Sequence, residues 1–567
     1  MSALDEFSQS YHDHFTRNPN ACAELGVPRR LDELPDPSLA DAEDRVREAR
    51  ELLARLDTVD RGALDFDDAL DADLARLALE AEVHRETYTF NGRTQLQQLP
   101  SAGQDVGDGI FYLFINDPRP VEERLANVTA RLEAVPDYVE ALLGRLDTPV
   151  ERWVAIDAER VEGLPQLFAT LSGWAEEVGW ADRPRLEVAR RAAESALEGY
   201  RQRLRSLPTT RQLHVGEETA RRIVALRGVD KPLQELHAIA RDFLARTRAT
   251  IDELRRSLVA RYDLDPATDV AGLQGFLAQR FRVELPNGAL EDVLARYQAE
   301  RDKIIAFISE GDLFPVFVEQ DMKMLRTPGF MEPSIPAGAM MSPAPFREGV
   351  RTSLVYLTLS EELLDEHTEL SIPSMMIHEG IPGHHLQLAT ASTHPSIIRR
   401  HADAMDQAEG WTTMLEDYML DQGYLGERTD EARFIGKRDI NRIGARVAID
   451  LFFMTGERGY LDVGVDCDLS PDDPFEAAGN LLQAVTGFVP GRVQAELNWY
   501  SQERGYPLSY LTGNTLVWEL KRDVEAAQRG RLEDLELDRA FHRVYLEAGN
   551  MPVSFLRRVY RHQGLLG

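Results

Sequence analysis

Residues 39–57 read LADAEDRVREARELLARLD. Apolar side chains recur there at intervals of three and four residues, and no run of β-branched residues interrupts them. That spacing places the apolar side chains on one face of an α-helix. The same spacing recurs in three further stretches, residues 68–88, 121–146 and 183–207. Proline- and glycine-rich segments separate the stretches, so we predict a set of packed helices.

The character of the sequence changes after about residue 320. Residues 324–346, MLRTPGFMEPSIPAGAMMSPAPF, are too rich in proline and glycine for a long helix. Residues 347–359, REGVRTSLVYLTL, carry the β-branched and aromatic side chains that are typical of a strand. Helical spacing then returns and continues towards the C-terminus. The sequence therefore predicts a mainly α chain with a small β element.

Composition and charge limit the class of protein. Of the 567 residues, 43% are hydrophobic and 28% are charged, as in ordinary globular proteins. The formal net charge is -32, which argues against binding to nucleic acid because a phosphate backbone is bound through basic patches. No stretch approaches the ~20 consecutive apolar residues that a membrane helix needs. We therefore expect neither a nucleic acid nor a membrane as a partner.

Cysteine usage and the first residues bear on location. The two cysteines, Cys22 and Cys467, lie far apart in the sequence and are not part of a metal-binding motif. Reduced thiols in a cytosolic protein fit this pattern. Residues 1–15, MSALDEFSQSYHDHF, contain neither the basic nor the apolar region of a secretory signal. We expect a cytoplasmic location, and the sequence leaves the oligomeric state open.

Histidine is concentrated in one region, where five of the 13 histidines fall between residues 378 and 401. A catalytic zinc site needs three protein ligands, an open position for water, and a carboxylate that takes a proton from that water. The segment HEGIPGHH supplies such groups as His378, Glu379, His384 and His385. In the common motif H-E-x-x-H, both histidines lie on one helical turn. Here the second histidine follows only after six or seven residues.

A straight helix cannot bring these histidines to one zinc ion. Position i+6 points roughly 120° away from His378, and position i+7 lies about 10.5 Å along the helix axis. The segment Gly380–Gly383 contains two glycines and a proline, which are residue types that kink or bulge a helix. Two looped-out residues would place His384 where the second ligand of H-E-x-x-H lies. We therefore assign His384 as a ligand and keep His385 as an alternative ligand or a group beside the site.

A third ligand is predicted on a downstream helix. Glu409 and Glu416 are seven residues apart and so share one helix face. The chain between His385 and Glu409 is long enough for a turn and a returning helix. We assign Glu409 as the third ligand. Glu416 is then a group that orients a ligand imidazole, or an alternative ligand.

A zinc site of this kind can hydrolyse peptides. Besides the metal, that reaction needs a base and a donor to the oxyanion of the tetrahedral intermediate. Glu379 is the predicted general base. Tyr510, in the segment PLSYLTG, is the predicted donor, and Tyr500 and Tyr506 are alternatives.

Three residues are predicted to contact substrate. Arg492, after a Pro-Gly pair, would neutralise a substrate carboxylate. Arg351 and Tyr356 belong to the predicted strand, which would line a cleft where an extended peptide adds as a further strand. The alternative interpretation of this strand is a hairpin that covers the core.

These motifs resemble those of a family of bacterial proteins of unknown function, DUF885. The resemblance rests on HEGIPGHHLQ, on EGW with a second glutamate seven residues after the first, on REGVRTSLVYLTL and on YPLSYLTG, and it covers most of residues 330–530. That family is similar to the gluzincin metallopeptidases, which carry H-E-x-x-H and a glutamate as third ligand. The resemblance implies that Glu409, the glutamate before glycine, is the ligand. The family often has a histidine near residue 454, where this chain has Met454.

Together, the residues and the resemblance predict a zinc-dependent metallopeptidase with a large multi-helix metallopeptidase-like fold, one zinc ion and a peptide substrate. An N-terminal helical lobe, residues 1–320, and a metal-binding catalytic lobe, residues 321–567, would form one unit with a cleft. A metal-dependent hydrolase of another amide or ester is an alternative, because the same site would serve. A non-catalytic helical binding protein with a structural metal site is a third hypothesis. Glu379 argues against it, because a purely structural site has no use for a base.

Overall fold

A computed structural model of the chain describes residues 3–115, 117–327 and 338–567. These residues are mainly helical, with five short strands. The prediction of a mainly α chain with a small β element is confirmed, whereas the metallopeptidase-like character of the fold stays a prediction. No helix in the described ranges is long and apolar enough to cross a membrane. Cys22 and Cys467 are both free thiols.

Thirteen helices of the described residues lie before residue 320. They are α1 Ala3–Phe15, α2 Pro19–Leu25, α3 Leu39–Asp57, α4 Phe66–Thr87, α5 Gln95–Gln98, α6 Ala102–Ile115, α7 Val121–Arg145, α8 Glu151–Glu177, α9 Arg183–Ser206, α10 Glu217–Leu226, α11 Leu233–Arg261, α12 Val270–Arg280 and α13 Glu291–Gly311. The strands are β1 Thr89–Phe90, β2 Arg93–Thr94, β3 Gln320–Arg326, β4 Gly338–Met341 and β5 Arg351–Leu357.

Eleven further helices follow β5. They are α14 Ser371–Glu379, α15 His384–Ser392, α16 Ile397–His401, α17 Met405–Asp421, α18 Thr429–Ile440, α19 Arg442–Thr455, α20 Pro474–Thr486, α21 Pro490–Gln502, α22 Ser509–Gln528, α23 Asp534–Glu547 and α24 Val553–His562. Short 3-10 segments lie at Arg61–Ala63, Glu361–Glu366, Gly426–Arg428 and Arg458–Leu461.

Helix α3 shows how the local sequence sets an element. Ser38 caps it by accepting a hydrogen bond from the main-chain N–H of Asp41. The buried face consists of side chains three or four residues apart, namely Ala42, Val46, Ala49, Leu52 and Leu56. The helix spans Leu39–Asp57, the residues over which the apolar spacing predicts it.

The chain forms two compact units. Unit 1 comprises Met1–Val215, Ala344–Glu348 and Pro395–His401, and unit 2 comprises Gly216–Pro343, Gly349–His394 and Ala402–Gly567. The main division therefore falls after residue 215, whereas the sequence predicts a boundary near residue 320. Helices α10 to α13 belong to the same unit as the histidine-rich segment. Helical spacing could not reveal this, because it shows which face of a helix is apolar but not which neighbour covers that face.

Unit 1 is built from helices packed side by side. Helix α9 packs against α7 and α8, and α3 packs against α4. The face of α7 that enters the core carries Leu125, Val128, Leu132, Val135, Val139 and Leu142, all fully buried or nearly so.

Unit 2 contains a three-stranded sheet with the order β3-β5-β4. Strand β3 is parallel to β5, and β4 is antiparallel to it. Over Leu354–Leu357, β5 therefore has a strand partner on both edges. The predicted addition of a peptide to this strand is wrong over these residues, because their main-chain groups already pair within the sheet. No long helix is seen where residues 324–346 are described, and residues 328–337 of that segment lie outside the described ranges.

Candidate metal centre

The histidine-rich segment folds as two helices joined by a short connection. Helix α14 ends at Glu379 and α15 begins at His384. The sequence predicts two residues looped out of one helix, but the helix instead breaks over Gly380–Gly383. A Cβ atom on Gly383 would lie 2.0 Å from the carbonyl oxygen of His378, so the connection passes too close to α14 for any side chain there. This close approach requires glycine immediately before His384.

The break brings His384 to His378 and Glu409. Nε2 of His378 lies 3.6 Å from Oε2 of Glu409, and Nε2 of His384 lies 3.5 Å from the same oxygen. The three atoms all lie within 4.8 Å of one another. Two ligand atoms at about 2.0–2.1 Å from one tetrahedral zinc ion lie about 3.4 Å apart. The three side chains therefore have the spacing of ligands to one metal ion.

Two buried atoms of this cluster lack hydrogen-bond partners among the described residues. They are Oε2 of Glu409 and Nδ1 of His384. A buried carboxylate oxygen with no partner is costly, because it has lost its hydration without compensation. A cation between the three ligand atoms would supply that compensation, and two imidazoles with one carboxylate form a donor set of catalytic zinc sites. The residues present therefore fit a zinc ion.

The three groups also shift one another's pKa. Burial alone would lower the pKa of His378, but its contacts with Glu409 and Glu416 outweigh burial and raise it to about 10. Burial alone would raise the pKa of Glu409, but His384 and His378 hold that pKa well below its usual range. The site therefore favours positive charge between its acidic groups.

Glu416 fixes the orientation of the first histidine. Its Oε1 lies 2.7 Å from Nδ1 of His378. The ionised carboxylate can only accept, so Nδ1 carries a proton and Nε2 is the nitrogen that would present a lone pair to a metal ion in the cluster. Glu416 thus lies where the sequence predicts a group that orients an imidazole. The contact with His378 occupies Oε1 of Glu416.

His385 points away from the cluster. Its Nδ1 lies 2.7 Å from Oγ of Ser353, and its Nε2 lies 2.6 Å from Oε1 of Gln320. Burial lowers the pKa of His385 to about 4, so the imidazole is neutral. Both ring nitrogens are occupied by contacts to β5 and β3, and the geometry therefore favours His384 over His385 as the ligand.

Glu379 lies beside the cluster with a free carboxylate. It is the last residue of α14, half-buried, and makes no hydrogen bond or ion pair with any described residue. Its negative charge contributes to the raised pKa of His378. A general base needs such a position, near the metal ligands and without a competing partner.

A close helix crossing sets the distance between α17 and α22. A Cβ atom on Gly410 would lie 2.5 Å from the carbonyl carbon of Gly513, and one on Gly513 would lie 2.2 Å from the carbonyl oxygen of Asp406. The two backbones therefore touch directly. Glu409 directly precedes Gly410 on α17, and Tyr510 lies one turn before Gly513 on α22. The crossing therefore brings Glu409 and Tyr510 close to each other.

Tyr510 and Tyr506 lie close to Glu409. Burial and then the carboxylate of Glu409 raise the pKa of Tyr510 well above its usual range. The same two causes raise the pKa of Tyr506, and the two tyrosine rings lie 6.0 Å apart. Both phenols therefore keep their protons at neutral pH and can donate. Tyr500, by contrast, donates to Glu496 at 2.5 Å.

The three residues predicted to contact substrate lie in different surroundings. Tyr356 is 3% exposed, which leaves little of its surface for a substrate, and burial raises its pKa to about 12. Arg351 begins β5 and is half-buried. Arg492 lies in the first turn of α21, with its guanidinium carbon 3.8 Å from the centroid of the Phe488 ring.

Two residues that position the site are not predicted from the sequence. Trp411 donates from its indole nitrogen to the carbonyl oxygen of Pro382 at 2.9 Å. Asp450 accepts hydrogen bonds from the main-chain N–H groups of Gly505 and Leu508, both at 3.1 Å. The signals were present, since Trp411 follows the predicted ligand by two residues and Asp450 is a lone acid in the apolar run VAIDLFFM.

Comparison with known families identifies the chain at the level of a family. The family described as "Bacterial protein of unknown function (DUF885)" matches residues 19–559. The chain belongs to the DUF885 family. The predicted family membership is confirmed, and the likeness to gluzincins stays a prediction.

Two solved structures resemble this DUF885 member over nearly its whole length. One is "a putative lipoprotein of unknown function" from Shewanella oneidensis, with a TM-score of 0.77 and 18% identity over 99% of this chain and 100% of that chain. The other is a "putative lipoprotein" from Colwellia psychrerythraea, with a TM-score of 0.78 and 16% identity over 99% of each chain. At these identities the likeness shows the fold alone. No curated protein matches the chain.

Proposed function

We propose that this chain is a zinc-dependent peptidase in which His378, His384 and Glu409 hold the metal and Glu379 is the general base. The convergence of two imidazole nitrogens and one carboxylate oxygen at the spacing of zinc ligands supports this most strongly. The free carboxylate of Glu379, next in sequence to the first ligand, favours a catalytic site. A structural zinc site has four protein ligands and no use for such a base. The cytoplasmic location predicted from the sequence is part of this proposal.

The residues of the chain divide the chemistry among them. A zinc ion held by His378, His384 and Glu409 would supply a Lewis acid for the scissile carbonyl and would make a bound water more acidic. Glu379 accepts a proton from the attacking water and passes it to the leaving amine. Glu416 keeps His378 in the tautomer with a free Nε2. Tyr510 donates a hydrogen bond to the oxyanion of the tetrahedral intermediate.

Replacing the base tests this function. Glu379→Gln keeps the size of the side chain but cannot take a proton, so we expect zinc to remain bound and turnover of a peptide library to fall by about 100-fold or more. Glu536→Gln is the matched control, because Glu536 is an exposed glutamate on α23. The control should retain both zinc and turnover.

The outcomes separate the hypotheses. Full turnover in Glu379→Gln would contradict the assignment of the base. Hydrolysis of esters or non-peptide amides, with no peptide cleaved, would replace the peptidase by the alternative metal-dependent hydrolase. Zinc bound in the native chain without hydrolysis of any of these substrates would favour a structural site.

A further inference from the structure

A row of arginines follows one face of two successive helices in unit 2. Arg438 in α18 is followed by Arg442 and Arg446 in α19, at intervals of four residues. Asn441, between the two helices, has helical backbone angles, φ -54 and ψ -29. The helical path therefore continues, and the three arginines share a face.

One end of the row adjoins the candidate metal centre, and a neighbour of the other end interacts with it electrostatically. The guanidinium carbon of Arg446 lies 4.4 Å from the centroid of the Tyr510 ring. At the other end, the carboxylate of Asp439 interacts electrostatically with Glu416, which contacts the ligand His378. Eight residues of helix span about 12 Å, the length of three or four residues of an extended peptide. The row therefore begins beside Tyr510 and extends from it over the length of a short peptide.

The arginines of this row differ in their partners. Arg446 donates to Tyr500 and to Glu496, both at 2.9 Å, so it is satisfied inside the protein. Arg442 donates to the main-chain oxygen of Asp439 at 2.9 Å. Arg438 and Arg442 form no ion pair with a carboxylate of the described residues.

Arg492 reaches the same place from helix α21. It precedes Glu496 by one turn and therefore lies on the face of α21 that meets α19. Its guanidinium stacks on Phe488 and forms no ion pair within the described ranges. The electrostatic neighbours of Asp439 are three cations, Arg438, Arg442 and Arg492, and one further carboxylate, that of Glu416.

Asp439 is exposed at the surface beside these arginines. The guanidinium groups of Arg442, Arg438 and Arg492 all act on its carboxylate. Three guanidinium groups lie there with two carboxylates, those of Asp439 and Glu416, although the whole chain carries a net charge of -32. Such a local excess of positive charge favours an anionic ligand.

We propose that Arg438, Arg442 and Arg492 form a subsite that binds a carboxylate of the substrate. This rests on the proposed peptidase function and adds the class of peptide that the site prefers. The planar fork of arginine matches the two oxygens of a carboxylate. A free C-terminus and an acidic side chain both supply that group, and the experiment distinguishes them.

The test uses peptides of one sequence in three forms. One has a free C-terminal carboxylate, one a C-terminal amide, and one the amide with glutamate in place of glutamine at successive positions. We expect kcat/KM of the zinc-loaded chain to be about tenfold or more higher for a carboxylate-bearing form than for the plain amide. Preference for the first form identifies the C-terminus, and preference for the third identifies an acidic side chain.

Variants assign the preference to the arginines. Arg442→Gln and Arg492→Gln should raise KM for the preferred form much more than KM for the plain amide, whereas Arg442→Lys should keep part of the preference. Arg522→Gln, at an exposed arginine on α22, is the control and should keep all of it. Zinc content and thermal unfolding show that each variant is folded.

Three results would overturn the subsite. The first is an equal kcat/KM of the native chain for all peptide forms. The second is a rise in KM in the variants that is equal for the preferred form and the plain amide. The third is a preference for the carboxylate-bearing peptide that remains in both Arg442→Gln and Arg492→Gln. If the native chain cleaves no peptide, the proposed function has failed, and the same peptides are titrated calorimetrically into the zinc-loaded chain. Tighter binding of a carboxylate form, lost in Arg442→Gln, then supports the subsite on its own. Equal or absent binding overturns it.

Discussion

The indole N–H of Trp411 donates a 2.9 Å hydrogen bond to the carbonyl oxygen of Pro382. Trp411 is fully buried and stacks on Tyr545, with ring centroids 4.5 Å apart. It lies two residues after Glu409, and Pro382 lies two residues before His384. The hydrogen bond therefore ties the helix that carries one proposed ligand to the connection that positions another.

Loss of this hydrogen bond should weaken metal binding. Trp411→Phe keeps an aromatic ring in the core but leaves the carbonyl of Pro382 without its donor. We expect a decrease in zinc affinity of about tenfold or more and a loss of about 1–3 kcal/mol of stability. Competition with a chromophoric chelator measures the affinity. Trp518→Phe, at a half-buried tryptophan on α22, is the control. Unchanged zinc affinity in folded Trp411→Phe would show that the bond does not position His384.

The contact between Gly410 and Gly513 should not tolerate a methyl group. A Cβ atom on Gly410 would lie 2.5 Å from the main chain of Gly513, and backbone cannot move aside as a flexible side chain can. We expect Gly410→Ala to cost about 1–3 kcal/mol in denaturant unfolding. Gly436→Ala, in the interior of α18 with open space around it, should instead be neutral or stabilising by up to about 1 kcal/mol. Equal effects of the two substitutions would contradict the backbone contact.

Removing the phenol of Tyr510 should affect turnover more than binding. Tyr510→Phe loses only the hydroxyl, so we expect kcat to fall by about 100- to 1,000-fold with little change in KM and with zinc retained. Steady-state kinetics on a peptide cleaved by the native chain measures both constants. Tyr506→Phe is the informative comparison, because Tyr506 also lies near Glu409. A large loss in Tyr506→Phe and none in Tyr510→Phe would exchange their roles.

Asp450 should make stability depend on pH. Burial raises the pKa of Asp450 to about 7, against the main-chain hydrogen bonds from Gly505 and Leu508, which lower it. The folded chain therefore keeps this carboxyl protonated up to about pH 7, while the unfolded chain ionises it above its ordinary pKa of 3.8. The folded state binds more protons between these values, so the stability contribution falls as pH rises from about 4 to about 7.

Comparison with Asp450→Asn isolates the contribution of Asp450 to the pH dependence of stability. Asparagine cannot ionise, so the variant lacks the pH dependence that Asp450 contributes. Denaturant unfolding at pH 5 and at pH 7.5, with a chelator present, gives the free-energy difference between native chain and variant. We expect the native chain to gain relative to the variant at pH 5. The same difference at both values would contradict the raised pKa.

Local sequence predicts the elements well because their causes are local. The spacing of apolar side chains and the cap Ser38 define α3, and β-branched and aromatic residues define β5. Packing partners are not local. Gly410 and Gly513 are more than a hundred residues apart in the sequence but in contact in the fold. The sequence around either glycine does not indicate that the other is its neighbour. The division of the chain after residue 215 follows from such contacts, and local sequence does not predict it for the same reason.

The candidate site shows the same limit. The sequence predicts His378, Glu409 and Glu416 near one another from spacing and motif, and the structure brings them together. The sequence leaves His384 and His385 as alternatives. The partners of His385, which are Ser353 and Gln320, lie 32 and 65 residues away and local spacing does not reveal them. Tyr356 was predicted to face a substrate from its place in a strand, although periodicity cannot tell which face of a sheet is covered.

The zinc content of the purified chain tests the proposed metal centre most directly. It is measured by plasma mass spectrometry on protein without a histidine tag. We expect about one zinc ion per native chain, its loss in His378→Ala and His384→Ala, and its retention in His385→Ala. Retention in His384→Ala with loss in His385→Ala would reverse the ligand assignment. A native chain that binds no zinc, even when zinc is supplied, would contradict the metal centre and with it the proposed peptidase.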